Sequence, residues 1–322
     1  MGYRDTVNGR KFKATLLGLA FYARFLPSFT QWGYAMRRLT WSRERSTFEG
    51  RHWLVTGASA GLGKAIAQAA ASAGARVTAV ARASDRLATL ASPQITPMAC
   101  DFSSMADTRR FLGEFLARGE PVDVLVNNVG VLNDAHQLTA EGHEASYAIN
   151  LLSQFLLTET LLAERAFAPQ ATVITMTSGG AYHAPLIVRA LDLREASQFD
   201  GTTAYALHKR AQIMLDELWR ARTQASGAGP AFYVMHPGWV DTEGVRRSLP
   251  NFRRWLRPLL RDAAAGIDTA MWLAAQRPVS PAGAHVWFDR KPRAAHFFAR
   301  TRAGDDARTL VAHLQRDLQP RV

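Results

Sequence analysis

The 322-residue chain has one cysteine, no apolar run of membrane-spanning length, and no internal repeat or low-complexity tract. A single cysteine excludes an intramolecular disulfide. Cys100 stands in an apolar run, the setting of a buried small hydrophobe rather than of a reactive thiol. The most apolar stretch, Thr15 to Ala23, is about half of what a bilayer crossing requires, and Arg24 interrupts it. Asp5 and the aromatic residues after that stretch argue against a secretory leader. A cytoplasmic location is expected, with membrane association left open. No grouping of His, Cys and carboxylate residues has metal-ligand spacing, so no metal is expected.

Acidic charge is also scarce: 27 Asp and Glu stand against 39 Lys and Arg, a net charge of +12. The deficit is local. Residues 1–52 carry ten basic and three acidic residues, and residues 243–302 carry twelve and four, whereas residues 53–242 carry fourteen and seventeen. A slightly acidic body argues against nucleic acid as a partner and confines a membrane-surface or anionic-partner role to the basic flanks.

What the chain does have is 48% hydrophobic residues, enough for an ample core, and one turn around which the rest is arranged. This is Thr56-Gly57-Ala58-Ser59-Ala60-Gly61-Leu62-Gly63, set between an apolar run, Trp53 to Val55, and an alanine-rich stretch, Lys64 to Ala73. A strand that ends in such a turn and feeds a helix aims free N–H groups and the positive helix end at one spot, which suits a pyrophosphate. Gly57 permits the tight turn, Gly61 lets the backbone approach a ligand, and Gly63 lets helix and strand pack closely. Strands read at 52–56, 76–81, 95–100, 122–126, 171–177, 231–235 and 284–288, separated by helical stretches at 62–73, 103–118, 141–165, 203–224 and 262–275. The alternation predicts an α/β fold with a doubly wound parallel sheet, a single domain over residues 51–290, and ligands at the carboxyl ends of its strands. Residues 1–50 form an N-terminal helical extension in this reading, and 291–322 a tail with a short helix.

The second strand ends at Ala81-Arg82, where an NAD-binding fold usually offers a carboxylate to the ribose 2′-hydroxyl. A guanidinium suits a 2′-phosphate, so NADP(H) is expected over NAD(H), with Asp85 the competing feature. Downstream come Asn127-Asn128-Val129-Gly130 after the fourth strand, Asn150 in the next helix, Ser178 after the fifth strand, and Tyr205-Ala-Leu-His-Lys209 at a helix start. Delivering a hydride to a carbonyl carbon leaves an oxygen that needs a proton. A tyrosine, with a pKa of roughly 10, serves near neutral pH when a cation stabilises its phenolate. Lys209 is four residues from Tyr205 and shares its helix face. Ser178 can hold the substrate oxygen, and Asn150 a water that relays protons to the lysine. His208 reads as an ordinary helix residue, and His183 and His236 as structural or pocket-lining.

In this order, the glycine turn, the Asn-Asn-Val-Gly turn and Tyr-x-x-x-Lys resemble the short-chain dehydrogenase/reductase superfamily over about Arg51 to Asp289. The resemblance implies a Rossmann fold in which Gly57, Ser59, Ala60, Gly61, Leu62 and Gly63 cradle the cofactor phosphates. It implies Asp101 and Phe102 at the adenine, and Asn128, Val129 and Gly130 on the adenosine side, Val129 replacing the usual alanine. Asn150, Ser178, Tyr205 and Lys209 match the catalytic tetrad, with Tyr205 and Lys209 also meeting the cofactor. Pro237-Gly238-Trp239-Val240-Asp241-Thr242 looks like the turn beside the nicotinamide carboxamide. Ser178 and Tyr205 are 27 residues apart, about twice the superfamily's usual spacing. An insertion with Tyr182, His183, Leu186, Ile187 and Leu191 is therefore expected at the substrate mouth. Together with the His236 and Phe288 turns it looks like one branch that also carries an N-terminal extension.

Phe12, Leu16, Leu19, Ala20 and Ala23 recur at helical spacing, as an arm packed on protein or as a helix on an anionic membrane surface. Within a lid at 243–262, Val245, Leu249, Phe252, Trp255, Leu256 and Leu259 recur beside five arginines, which favours a lipophilic carbonyl or alcohol substrate. The resemblance also makes a homo-oligomer possible. Two rival readings stay open: an NADP(H)-binding sensor or scaffold docking through its basic flanks, and a peripheral membrane protein whose arms are its main feature.

Overall fold

A computed structural model of the chain describes residues 25–42, 46–83, 85–182 and 184–319. The Phe12–Ala23 arm and His183 lie outside the described residues. Helix α1 is Gln31–Arg38. The sheet and its main helices then run β1 His52–Thr56, α2 Gly61–Ser72, β2 Arg76–Ala81, β3 Ile95–Ala99, α3 Met105–Leu116 and β4 Val122–Asn127. Helix α4 is a composite of Ala145–Tyr147, a π-turn Ala148–Leu152, and Ser153–Ala163. There follow β5 Phe167–Met176, α5 Gly201–Ser226, β6 Ala231–Met235, α6 Glu243–Ser248, α7 Pro250–Leu256, α8 Ala263–Gln276, β7 His285–Phe288, β8 Lys291–Ala294 and α9 Ala307–Asp317.

The strands lie in the order β3-β2-β1-β4-β5-β6-β7-β8, parallel up to β7. Successive side chains of a strand face opposite ways, and both faces are covered. Leu54, Leu125, Val173 and Phe232 pack against α3, α4 and α5 on one side. Trp53, Val55, Val124, Val126, Ile174 and Tyr233 pack against α2 and α8 on the other. Double coverage is why the strands read as continuous apolar runs. Cys100 is buried in the first of these cores, and burial pushes its thiol up to about 12, so it is inert.

Two features depart from the sequence reading. The antiparallel strand β8 opens the stretch read as a tail. Its two-residue turn places Asp289 and Arg290 at φ 49° and 59°, the left-handed pair of a tight hairpin. Its residues, Lys291, Pro292, Arg293 and Ala294, are exposed and typical of a guarded sheet edge. The insertion after Ser178 is not a free mouth. Leu186, Val188 and Leu191 are buried in the core with Leu310 and Leu314 of α9, and Tyr182 joins Phe29 and Phe288. Of the insertion, Gly179, Gly180 and Ala184 reach the cavity described next.

Candidate active site

The carboxyl ends of β1, β2, β4, β5 and β6 open into one cavity of about 1370 Å³. All the candidate residues line it except Gly63, Phe102 and Asn150, which stand behind its wall. At one end Gly57 turns the chain with φ 67°. Asn128 Nδ2 donates to the Thr56 carbonyl at 2.8 Å, and Thr56 Oγ1 accepts from the Asn128 and Val129 amides at 3.0 and 3.1 Å. A Cβ on Gly63 would lie 2.3 Å from the Gly57 carbonyl oxygen, which is the close packing expected of it. On Gly61, at φ 54°, a Cβ would meet nothing nearer than Thr242 at 3.8 Å, so the space above the α2 N-terminus is open. No side chain caps that terminus. Free N–H groups and the helix dipole thus face the cavity, and the cradle fits a pyrophosphate.

Arg82 is exposed on the same wall. Asp85 is not part of the wall. Asp101 accepts from the Ser103 amide and hydroxyl at 3.0 and 2.8 Å, which fixes the loop after β3. The Phe102 ring is buried against Phe111 and contributes core packing, not a cavity surface.

At the other end, α5 starts on Asp200, whose carboxylate accepts from the Thr203 amide at 2.7 Å. Tyr205 and Lys209 share one helix face, with Lys209 Nζ 5.4 Å from the Tyr205 ring centroid and donating to the Met176 carbonyl at 2.9 Å. Burial raises the phenol's pKa, and a hydrogen bond from Ser178 opposes the rise. Burial pushes Lys209 down to about 7.

Asn150 sits in the π-turn of α4, a helix irregularity frequent at functional sites. Its side chain grips Val131 at both ends, accepting from the amide at 2.7 Å and donating to the carbonyl at 2.8 Å. Gln212 Nε2 donates to the Asn150 carbonyl at 2.7 Å and to Gln154 Oε1 at 2.6 Å. His208 is not an ordinary helix residue: Nδ1 lies 3.4 Å from Asn150 Nδ2, Nε2 is 2.9 Å from the Leu191 carbonyl, and burial pushes its pKa down to about 4. Sequence reasoning missed Gln212, whose signal was a polar residue on the apolar face that carries Ala211 and Leu215. His236 is buried and lines the cavity, Nδ1 accepts from the Gly238 amide at 2.9 Å, and burial pushes it down to about 3.

Val245, Leu249 and Phe252 of the lid line the cavity, whereas Trp255 is 77% exposed. Glu243 pairs with Arg86 at 2.8 Å, tying the lid to the chain after β2. The fold also joins His143, Asp192 and Asp317, residues too far apart in sequence to suggest a metal site. Arg194 donates to Asp192 at 2.5 Å and lies 3.6 Å from Asp317, so a guanidinium supplies the positive charge there.

A phosphate cradle at one end of a cavity and a Ser178–Tyr205–Lys209 group at the other define a dinucleotide-dependent oxidoreductase, and the chain belongs to the short-chain dehydrogenase/reductase family. The short chain dehydrogenase family model matches residues 51–191. Dehydrogenase/reductase SDR family member 12 of Bos taurus is 34% identical over 300 residues, 88% of this chain and 91% of that protein. This is the branch that the long Ser178–Tyr205 spacing and the N-terminal extension point to. Retinol dehydrogenase 12 of Homo sapiens is 31% identical, covering 75% of this chain and 78% of that one. Among solved structures, an uncharacterized protein from Mycobacterium paratuberculosis superposes with a TM-score of 0.67 at 23% identity, over 88% of this chain and 99% of that one. The chain is an NAD(P)-dependent oxidoreductase acting on CH–OH groups.

Proposed function

We propose that the protein interconverts a lipophilic carbonyl compound and its alcohol with NADP(H). The observation that carries the reading is one cavity holding Arg82 and the glycine turn at one end and Ser178, Tyr205 and Lys209 at the other. The nicotinamide, when bound, supplies or accepts the hydride. Gly57, Ser59, Ala60, Gly61 and Leu62 hold its phosphates, and Arg82 receives the 2′-phosphate. Ser178 positions the substrate oxygen, and Tyr205 gives that oxygen a proton in reduction and removes it in oxidation. Lys209 stabilises the phenolate electrostatically and bonds the ribose. Asn150, with its amide engaged on Val131, fixes the loop after β4 rather than holding water with its side chain. Val245, Leu249 and Phe252 support a lipophilic substrate, as does a relative named for retinol.

The exposed Trp32, Met36, Leu39 and Trp255, near Arg38 and Arg254 in sequence, support peripheral membrane contact. Among the described residues no helix is long and apolar enough to cross a membrane. The test is kcat/KM with NADPH and NADH on a panel of aliphatic, steroid-like and retinoid-like carbonyls. A preference for NADPH and for apolar carbonyls is expected; a preference for NADH, or turnover of small polar carbonyls alone, overturns the reading.

A further inference from the structure

We propose that residues 25–38, which precede the sheet, are a working part of the active site, with Phe29 a positioning residue that holds the turn after β6. The inference rests on the cofactor reading above. In a doubly wound sheet the two halves of a dinucleotide lie over the two halves of the sheet. Arg82 and the glycine turn belong to β1 and β2, so the reacting half lies over β5 and β6, beside Ser178. There the chain runs from His236 to Thr242 and forms the cavity wall.

That turn is bonded within itself, the Gly238 amide donating to His236 Nδ1 at 2.9 Å, and to Arg261, whose carbonyl accepts from the Asp241 amide at 3.0 Å. Gly238 is at φ 81°, and a Cβ on it would lie 2.3 Å from Arg261 Nε. A further clamp, from outside the sheet, comes from Phe29. Its carbonyl accepts from the Trp239 amide at 2.9 Å. Its ring stacks on His236 with centroids 4.5 Å apart and meets the Trp239 edge at 5.6 Å.

The segment is held from behind. Arg261, 1% exposed, donates to the Phe29 and Ser28 carbonyls at 3.0 Å each and to Asp289 at 2.7 and 2.9 Å. Its own amide donates to the Trp239 carbonyl at 2.7 Å. Arg37 donates to the Ser28 carbonyl and, at 2.6 Å, to Asp289. One buried ion pair therefore registers three pieces of chain: the N-terminal segment, the cavity turn and the β7–β8 hairpin. A buried pair of this kind fixes geometry more than it adds stability.

The experiment titrates wild type, Phe29→Ala and Arg37→Ala with NADPH and with adenosine 2′,5′-bisphosphate, which occupies the adenosine half alone. Phe29→Ala is expected to weaken NADPH about tenfold, the effect of one stacked aromatic pair, and to leave the bisphosphate unchanged. Arg37→Ala, which removes the bond to the Ser28 carbonyl and leaves the Phe29 ring in place, is expected to shift NADPH the same way by less. Parallel weakening of both ligands, or no change in either, overturns the inference. A wild-type protein that binds neither ligand overturns the cofactor reading and this inference with it.

Discussion

Replacing Gln212 with leucine removes two hydrogen bonds and strands two acceptors, the Asn150 carbonyl and Gln154 Oε1, which Gln212 Nε2 reaches at 2.7 and 2.6 Å. Neither has water to turn to: Asn150 is 0% and Gln154 3% exposed. A buried acceptor left unsatisfied costs about 1–3 kcal/mol. Gln212 Oε1 has no hydrogen-bond partner among the described residues, so its removal recovers on the order of 1 kcal/mol. The expected net loss is about 1–5 kcal/mol, read as a lower urea midpoint at unchanged m. Gln154→Met combined with Gln212→Leu should cost less than the two singles together, by about 1 kcal/mol, because they share one bond. With Asn150 loosened, Val131 and the wall beside Lys209 shift, and kcat/KM should fall by about ten- to a hundredfold. A stability loss below about 0.5 kcal/mol, or strict additivity, would refute the tether between α4 and α5.

Arg82→Ala should lower kcat/KM for NADPH by about ten- to a hundredfold, one charge-assisted hydrogen bond, and leave NADH unchanged; equal losses would contradict the 2′-phosphate assignment. Gly63→Ala should abolish cofactor binding, since its Cβ would fall 2.3 Å from the Gly57 oxygen, whereas Gly113→Ala, with nothing within 4 Å, should be neutral or stabilising in the same binding and melting assays. Burial holds His208 and His236 at about 4 and about 3. Their folded pKa values lie below the unfolded one, so the unfolded chain binds more protons as pH falls. Their contribution is fully present above roughly pH 6.5 and is lost on acidification toward pH 4 and 3. Urea midpoints should drop over that window, less so in His208→Asn; a flat profile would sink the argument.

The glycine turn, Ser178 and Tyr205–Lys209 were legible because their geometry is local: a strand end, a turn, one helical turn of spacing. The place of Arg82 on the cavity wall was legible because register sets it a fixed distance along the next strand. The rest depends on contacts between distant segments. Gln212 matters because its amide reaches the Asn150 carbonyl, in a π-turn 62 residues earlier. His208 was discounted because its partners, Asn150 and Leu191, come from other elements. The β8 strand was hidden by Lys291, Pro292 and Arg293 and by a tight turn with no glycine. The insertion was assigned to the cavity mouth from the long Ser178–Tyr205 spacing, and the α9 helix that covers its leucines lies more than 100 residues away.

Proton transfer by Tyr205 to a substrate reduced by NADPH is tested by titrating wild type and Tyr205→Phe with NADPH, then measuring NADPH oxidation by a lipophilic aldehyde. Both proteins should bind NADPH alike, and turnover should fall at least about a hundredfold in the variant, the loss of a positioned proton donor. Undiminished turnover by Tyr205→Phe, or failure of the wild type to bind NADPH, would contradict it.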